Sequence, residues 1–544
     1  MVRRILGVFT REIRGLHQAA YVLAGFSILS QVLGLLRDRT FAHLFGAGPT
    51  LDAYFAAFRI PDLLFAFLTL FVSSFALVPL LSARDGQEQG TLVGNVLFIF
   101  GVVAIAVSGA IWFFLPQLVP LLFPGFPPET LAQTVLLSRI MLIQPVLLGF
   151  SSIASSMVQV LRQFLLYAVA PVLYNVGIIA GALIFYPNLG LEGLAWGVVL
   201  GAFLHLAAQA IPLMGRTHLL RLSLPSLRKS FADVALPSVP RSLALGAHQF
   251  LLLVFIGIAS LSSAGGVAAL SFALNLQSVP LSVIGISYAA AIFPSLALLF
   301  IARDLAGFAR EVWASVRHII FWTLPFITLI IVLRAHIVRV ILGSGAFSWS
   351  DTRLTAALLA LFSVSLVSQS LILIFSRAYY AAGNTKTPII VNIAAVFSAA
   401  GASILGMQWI RDADASRYFL ASLFRVTDIG GVEILMIPLA YSGVMIVTSI
   451  VFAYLFARQF GYEVRTMRTL AHSFAASVLA AAAAYGVLQI LAPVLETETF
   501  FGIFAQGVGA GIIGLLVWLL VLWILKAAEL REVFEVILGR QPKT

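Results

Sequence analysis

The sequence contains no cysteine and very little charge. Without cysteine, the chain can form no disulfide, no thiolate nucleophile and no Cys-ligated metal site. Asp, Glu, Lys and Arg make up 10% of its 544 residues, whereas a soluble domain has about 25%. Because 61% of the residues are hydrophobic and the mean hydropathy is +1.04, lipid must be the solvent for most of the chain.

The motifs of several enzyme classes are also missing from the sequence. It has no Walker A loop, no pair of histidines at metal-ligand spacing and no nucleophile elbow. We therefore expect no enzyme activity, no cofactor and no metal, so that any work must draw on a gradient, the membrane potential or consumption of a product. The net charge of +11 is spread over many short loops, which favours contact with anionic membrane lipids and not with nucleic acid.

Fourteen apolar segments predict an all-α integral membrane protein with about fourteen transmembrane helices. A span needs about 20 residues, and several segments are longer and must tilt or kink. The segments lie at 20–45, 51–83, 91–122, 131–161, 166–186, 191–214, 234–261, 266–300, 311–341, 353–382, 387–407, 428–456, 467–492 and 502–528.

Basic residues are concentrated in alternate loops. The N-terminal segment, the loop at 215–233 and the C-terminal tail are rich in Lys and Arg, whereas the loops after the first, third, fifth and seventh segments have almost none. The positive-inside rule then predicts that both termini are cytoplasmic. The loop at 408–427 departs from the alternation, and either a surface helix in a long external loop or a wrong span count explains it.

Proline and asparagine recur at a fixed spacing, which indicates an internal repeat. Pro171 and Asn175 open the fifth segment as Pro388 and Asn392 open the eleventh, and both pairs are 217 residues apart (388 − 171 and 392 − 175). Six spans per copy give both copies the same orientation, as in parallel-repeat transporters, whose substrate site lies at the repeat interface. The predicted organisation is a basic amphipathic segment at 1–19, an N-lobe at 20–214, an inter-lobe loop at 215–233, a C-lobe at 234–456, two further spans at 457–528 and a tail at 529–544.

Charged residues cluster in the first two spans, where burying them is costly. Arg37 and Asp38 lie late in the first span, and Asp52 and Arg59 lie in the second. A functional interpretation is a polar wall in which Arg37 and Arg59 meet a phosphate and Asp38 or Asp52 orients them. The alternative is a structural ion-pair network that pins the two spans together.

Other polar residues have strong structural alternatives. Arg139 and Arg241 lie near predicted membrane interfaces, where a long side chain can reach the head groups. Asn175 follows Pro171 by one helical turn, so it can cap a freed carbonyl or contact a substrate. His248 lies on an apolar face, which is typical of a core histidine.

Several sequence runs resemble the MurJ/MviN lipid II flippase family of the multidrug/oligosaccharidyl-lipid/polysaccharide exporter superfamily. The runs are SQVLGLLRD at 30–38, DAYFAAFRIP at 52–61 and RAYYAAGNTKTP at 377–388. The resemblance covers most of residues 20–470. It implies fourteen helices, two six-helix lobes, a cationic cavity, alternating access and lipid II, a polyprenyl-diphosphate-linked peptidoglycan precursor, as substrate.

The resemblance also assigns residues. Arg37 corresponds to an essential cavity arginine, Asp38 and Asp52 to important acids, and Ser30 and Asn175 to polar cavity residues. Charges of the family are missing at Gln31, Phe65, Leu274, Asn275 and Ser278, and the acid of the family's sodium site is Phe255 here. One of three diphosphate-binding arginines therefore remains, and Arg59, Arg139 or Arg241 could compensate for the others.

The sequence thus predicts a lipid II flippase of a bacterial inner membrane. An exporter of another lipid-linked oligosaccharide, of O-antigen or capsule type, and a non-transporting membrane scaffold remain alternatives. The expected partners are lipid II or a related glycolipid, membrane lipids and cell-wall synthesis proteins.

Overall fold

A computed structural model describes residues 16–84, 86–213, 222–463, 465–495 and 499–537. Most of the predicted amphipathic segment at 1–19, part of the loop at 215–233 and the end of the tail lie outside these ranges. Within them no β-strand occurs, and all fourteen predicted apolar segments coincide with helices. Twelve helices are long and apolar enough to cross a membrane, or 13 if one bent pair counts as a single span. The prediction of an all-α, multi-pass membrane protein is confirmed.

The chain divides into two compact units, residues 1–268 and 269–544. The first unit contains α1 to α9, and a π-helical turn at Gly181–Phe185 follows α7. These helices are α1 Leu16–Phe45, α2 Pro49–Val72, α3 Ser74–Ser82, α4 Gly86–Leu122, α5 Pro128–Met141, α6 Ile143–Val160, α7 Phe164–Ala180, α8 Leu191–Ala210 and α9 Leu227–Ala259.

The second unit contains the remaining long helices, and α10 begins at its boundary. They are α10 Gly266–Pro280, α11 Ser287–Ile301, α12 Leu305–Leu342, α13 Trp349–Ser363, α14 Leu366–Ala381, α15 Lys386–Asp412, α16 Asp414–Leu423, α17 Met436–Phe460, α18 Arg465–Leu491, α19 Phe500–Ile524 and α20 Ala528–Ile537. The short helix α16 lies in the loop at 408–427, which departs from the alternation of basic loops. One of the two explanations for that loop predicts a helix there.

The boundary between the units lies one helix later than the predicted lobe boundary at 215–233. The cause is α9, which packs against α2, α3 and α4 of the first unit. The predicted N-lobe and C-lobe therefore remain a sequence-based division.

Helix breaks occur in the second and the fourth span of both predicted copies. The second span is interrupted at Ser73 in the first copy, and a π-helical turn at Leu281–Ile286 interrupts it in the second. The fourth span breaks at Leu142 in the first copy, and α13 and α14 meet at a 41° bend in the second. Helix interruptions need specific local causes, and the duplication itself stays a prediction from the sequence.

Gln277 donates a hydrogen bond to a backbone carbonyl at the bend between α13 and α14. The Phe362 carbonyl accepts hydrogen bonds from Ser365 Oγ at 2.6 Å and from Gln277 Nε2 at 3.4 Å. Gln277 is buried. Its position fits the need of a broken membrane helix to satisfy its freed backbone groups.

Glycines bring α7 and α8 into backbone contact in the first unit. A Cβ on Gly177 would lie 2.3 Å from the Gly201 Cα, and one on Gly181 would lie 2.5 Å from the Gly197 Cα. Small residues at such an interface allow the close packing that replaces the hydrophobic effect in lipid. This contact fixes the position of α7, which carries Asn175.

Candidate functional site

Arg37 lies near the C-terminal end of α1 and is held by the next residue. Its Nε and one terminal nitrogen donate to the same Asp38 carboxylate oxygen, at 3.0 and 2.8 Å. Asp38 is buried, and the Arg37 side chain is 22% exposed. The ion pair therefore orients the guanidinium while leaving part of it accessible.

Asn175 joins Arg37 to Ser30. Its Oδ1 accepts from the other terminal nitrogen of Arg37 at 3.4 Å, and its Nδ2 donates to Ser30 Oγ at 3.3 Å. The same Nδ2 lies 3.2 Å from the Pro171 carbonyl. Asn175 therefore contacts its own helix near the proline, as the capping interpretation predicts, and also reaches α1; its contact with a substrate stays a prediction. Four predicted residues, Ser30, Arg37, Asp38 and Asn175, come together between α1 and α7.

Tyr54 is a polar group of this region that the sequence analysis missed. Its ring is packed edge-on against Phe41 and Phe58, with centroids 4.9 and 5.1 Å away. Its hydroxyl is buried without a hydrogen-bond partner, and it is close enough to Arg37 to interact electrostatically. A buried hydroxyl usually has a partner, so the unpaired Tyr54 hydroxyl is an exception that packing alone does not explain.

Arg59 lies further along α2 and is incompletely paired. Among the described residues it forms no ion pair, and its buried Nε has no hydrogen-bond partner. Asp62, one turn later, interacts with it electrostatically and accepts a 3.5 Å hydrogen bond from Gln144. His248 of α9 is also near Arg59. A guanidinium with unused donors is a candidate for binding an anion.

Asp52 occupies a different place from the other predicted site residues. Its two carboxylate oxygens accept from the backbone N–H groups of Gly265 at 2.6 Å and Ala268 at 2.8 Å. Gly265 has a φ of 86°, and a Cβ there would lie 2.1 Å from the Ala47 carbonyl oxygen. Asp52 therefore caps the N-terminus of α10, where a negative charge is favourable, and it makes no contact with Arg37.

Two further arginines, Arg139 and Arg377, lie over aromatic rings. Arg241 lies in α9, and its side chain is outside the part of the chain that the structure describes. Arg139 lies 4.4 Å from the centroid of the Trp112 ring, and Arg377 lies 5.6 Å from that of Phe293. These cation–π contacts stabilise each guanidinium against an aromatic face.

The positions that lack the family's charges add no new ion site. Phe255 is 1% exposed and lies in the core of the first unit. In the described ranges, no group of three or more His, Asp or Glu side chains is placed to hold a metal ion.

Replacing Asn175 with alanine should lower transport by up to about tenfold, because one hydrogen bond to a charged group is lost. Asn392→Ala is the matched control, since Asn392 follows Pro388 as Asn175 follows Pro171 but forms no hydrogen bond to a described residue. Transport rates at equal membrane levels test this. Equal losses in both variants would mean that the contacts of Asn175 with Arg37 and Ser30 do not explain its effect on transport.

Comparisons with known proteins find relatives over most of the chain. The sequence model of the family described as "Lipid II flippase MurJ" matches residues 41–506. A lipid II flippase MurJ of Burkholderia cenocepacia is 28% identical over 399 residues, which cover 70% of this chain and 76% of the relative. A probable lipid II flippase MurJ of Buchnera aphidicola is 27% identical and covers 67% of this chain and 73% of the relative.

Solved structures show the same fold. A lipid II flippase MurJ in an inward closed conformation has a TM-score of 0.73 at 21% identity, covering 96% of this chain and 100% of that one. An inward-facing MATE-family multidrug transporter of the MOP superfamily has a TM-score of 0.65 at 16% identity, covering 83% of this chain and 98% of that one.

Proposed function

Because this chain belongs to the lipid II flippase MurJ family, we propose that it moves lipid II from the cytoplasmic to the outer leaflet of a bacterial inner membrane. It acts as a transporter and not as an enzyme. The family match supports lipid II over another lipid-linked oligosaccharide, since the relatives reported above carry that substrate in their names.

The observation that carries the proposal is that Asp38 orients the Arg37 guanidinium without using all of its N–H donors. Asp38 takes two of its N–H groups with short hydrogen bonds, whereas the contact to Asn175 is long at 3.4 Å. A guanidinium has five N–H donors, so a phosphate oxygen can accept from the donors that remain without breaking either the Asp38 pair or the Asn175 contact. Asp38 thus keeps the arginine from being a buried unpaired charge when no substrate is bound.

Neighbouring groups can complete the binding of a diphosphate. The Tyr54 hydroxyl is a free donor close to Arg37, and the Arg59 guanidinium has unused donors on the same helix as Tyr54. Charge-assisted hydrogen bonds of this kind are about twice as strong as neutral ones. We propose that Arg37, Tyr54 and Arg59 hold the phosphates while the protein alternates between inward and outward access.

The location follows from the basic loops. We propose a bacterial inner membrane with both termini in the cytoplasm, because Lys and Arg are concentrated in the terminal segments and alternate loops. Contact with cell-wall synthesis proteins would place the exported precursor beside its consumers, and downstream consumption could help to drive export.

Rescue of a bacterium depleted of its own lipid II flippase tests the proposed function. The wild-type chain should restore growth and should restore the accessibility of lipid II to a reagent outside the cell. A correctly inserted protein that restores neither would contradict lipid II transport. Rescue of an O-antigen exporter deletion in its place would favour the other class of lipid-linked oligosaccharide.

A further inference from the structure

A polar cavity of about 550 Å³ lies within the first unit, between α1, α3, α6, α7 and α8. Its size falls within the range of about 300–1,000 Å³ that is usual for small-molecule sites. None of its lining residues is Asp, Glu, Lys or Arg, yet more than half are polar. Five are serines: Ser27, Ser30, Ser74, Ser152 and Ser155.

Gln209 gives this cavity an unsatisfied hydrogen-bond acceptor. The side chain lines the cavity and is 1% exposed. Its Nε2 donates to the Leu166 and Tyr167 carbonyls, at 3.3 and 3.5 Å, which fixes the orientation of the amide. Its Oε1 is buried without a hydrogen-bond partner. Because a buried polar atom without a partner is costly, a ligand that donates a hydrogen bond here is favoured.

His205 adds a second fixed polar group to the cavity wall. One of its ring nitrogens, Nδ1, lies 2.7 Å from Ser151 Oγ, outside the cavity lining. Its other nitrogen forms no hydrogen bond to a described residue. Together with the serine hydroxyls, these groups give the cavity both hydrogen-bond donors and hydrogen-bond acceptors, but no Asp, Glu, Lys or Arg.

Such a wall matches a neutral sugar. A sugar ring presents hydroxyl or amide groups at its edges and a flat, apolar C–H face. The cavity supplies the neutral polar groups, and the Phe26 and Tyr167 rings in its wall supply apolar surface. A phosphate or a charged peptide group would find no counter-charge there and would lose its hydration.

The cavity is next to the Arg37 cluster. Ser30 lines the cavity and accepts a hydrogen bond from Asn175, whose Oδ1 contacts Arg37. One amide side chain therefore separates the neutral cavity from the cationic group. A neutral polar site therefore lies beside a guanidinium. In the substrate, a neutral sugar is likewise joined directly to an anionic diphosphate.

We propose that this cavity binds the first sugar of the lipid-linked substrate while Arg37 holds the adjoining diphosphate. The inference deepens the proposed function and rests on it. It adds a sugar-recognition site within the first unit, so that the protein distinguishes a glycosylated polyprenyl diphosphate from the bare carrier lipid.

Binding of lipid II and of undecaprenyl diphosphate, which lacks the sugars and the peptide, to the purified full-length protein tests the inference. The wild type should bind lipid II at least about tenfold more tightly, as two or three neutral hydrogen bonds would give. Ser152→Leu, which fills the cavity, should remove this preference and leave the binding of undecaprenyl diphosphate unchanged. Ser27→Leu, at an exposed position of the lining, is a second filling variant should the first fail to fold.

Two controls separate cavity filling from other effects. Ser152→Ala keeps the space and should retain most of the preference. Ser287→Leu makes the same change at an exposed serine that does not line the cavity. This variant should retain the full preference for lipid II. A filled cavity that keeps the preference, or that weakens both lipids equally, overturns the sugar site. Wild-type protein that binds neither lipid would overturn the proposed function itself, and the sugar site with it.

Discussion

Replacing Arg37 with alanine should abolish rescue of a bacterium depleted of its lipid II flippase. The substitution removes the guanidinium that Asp38 orients and leaves the buried Asp38 carboxylate in place. The diphosphate then meets the negative charge of Asp38 where it had met the cation of Arg37. The measurement is growth after depletion, at equal membrane levels of wild type and variant.

Two further variants sharpen this prediction. Arg37→Lys keeps the charge but loses the planar fork, so it should rescue partly. Arg139→Ala removes a guanidinium of the same unit that stacks on Trp112, and it should rescue fully. Growth of the Arg37→Ala strain at the wild-type rate would show that this cation is not needed for transport.

Replacing Asp52 with alanine should destabilise the protein strongly. Both carboxylate oxygens accept buried backbone N–H groups at the start of α10, and alanine would leave these groups unpaired. We expect the free energy of unfolding to fall by about 3 kcal/mol, since hydrogen bonds to charged groups and helix caps each contribute about 1–3 kcal/mol. The thermal unfolding midpoint of the purified protein measures the change.

The comparison with Arg37 separates stability from substrate binding. Asp52→Asn keeps one side-chain oxygen and should cost less than Asp52→Ala. Arg37→Ala should impair lipid binding with a smaller effect on the unfolding midpoint. If Asp52→Ala kept the wild-type midpoint but lost affinity for lipid II, Asp52 would be a substrate residue, as its place in the family pattern implies, and not a cap.

Hydropathy located the long apolar helices, of which 12 or 13 can cross a membrane against the fourteen predicted, because a span in lipid must be a long apolar helix. All fourteen predicted segments coincide with helices, and the shortage of charge predicted the class of protein correctly. The break at Leu142 and the bend between α13 and α14 were not predicted. Such interruptions depend on partners from other helices, such as Gln277, which local composition does not reveal.

The candidate site was predictable in part. Charge within a span singled out Arg37 and Asp38, the position of Asn175 one turn after Pro171 singled out that residue, and the family resemblance added Ser30. The structure brings these four together. Their role in substrate binding remains a prediction. Tyr54 was missed because a tyrosine in an apolar run looks like a core residue. The capping of α10 by Asp52 was missed because its partners are more than 200 residues away in the chain.

The most direct test of a phosphate-binding Arg37 is the competition between undecaprenyl diphosphate and undecaprenol for the purified protein. These lipids differ only in the diphosphate, so their relative affinity reports how well the protein recognises phosphate. The wild type should prefer the diphosphate, and Arg37→Ala should reduce that preference at least about tenfold. The same preference in both proteins would contradict the account.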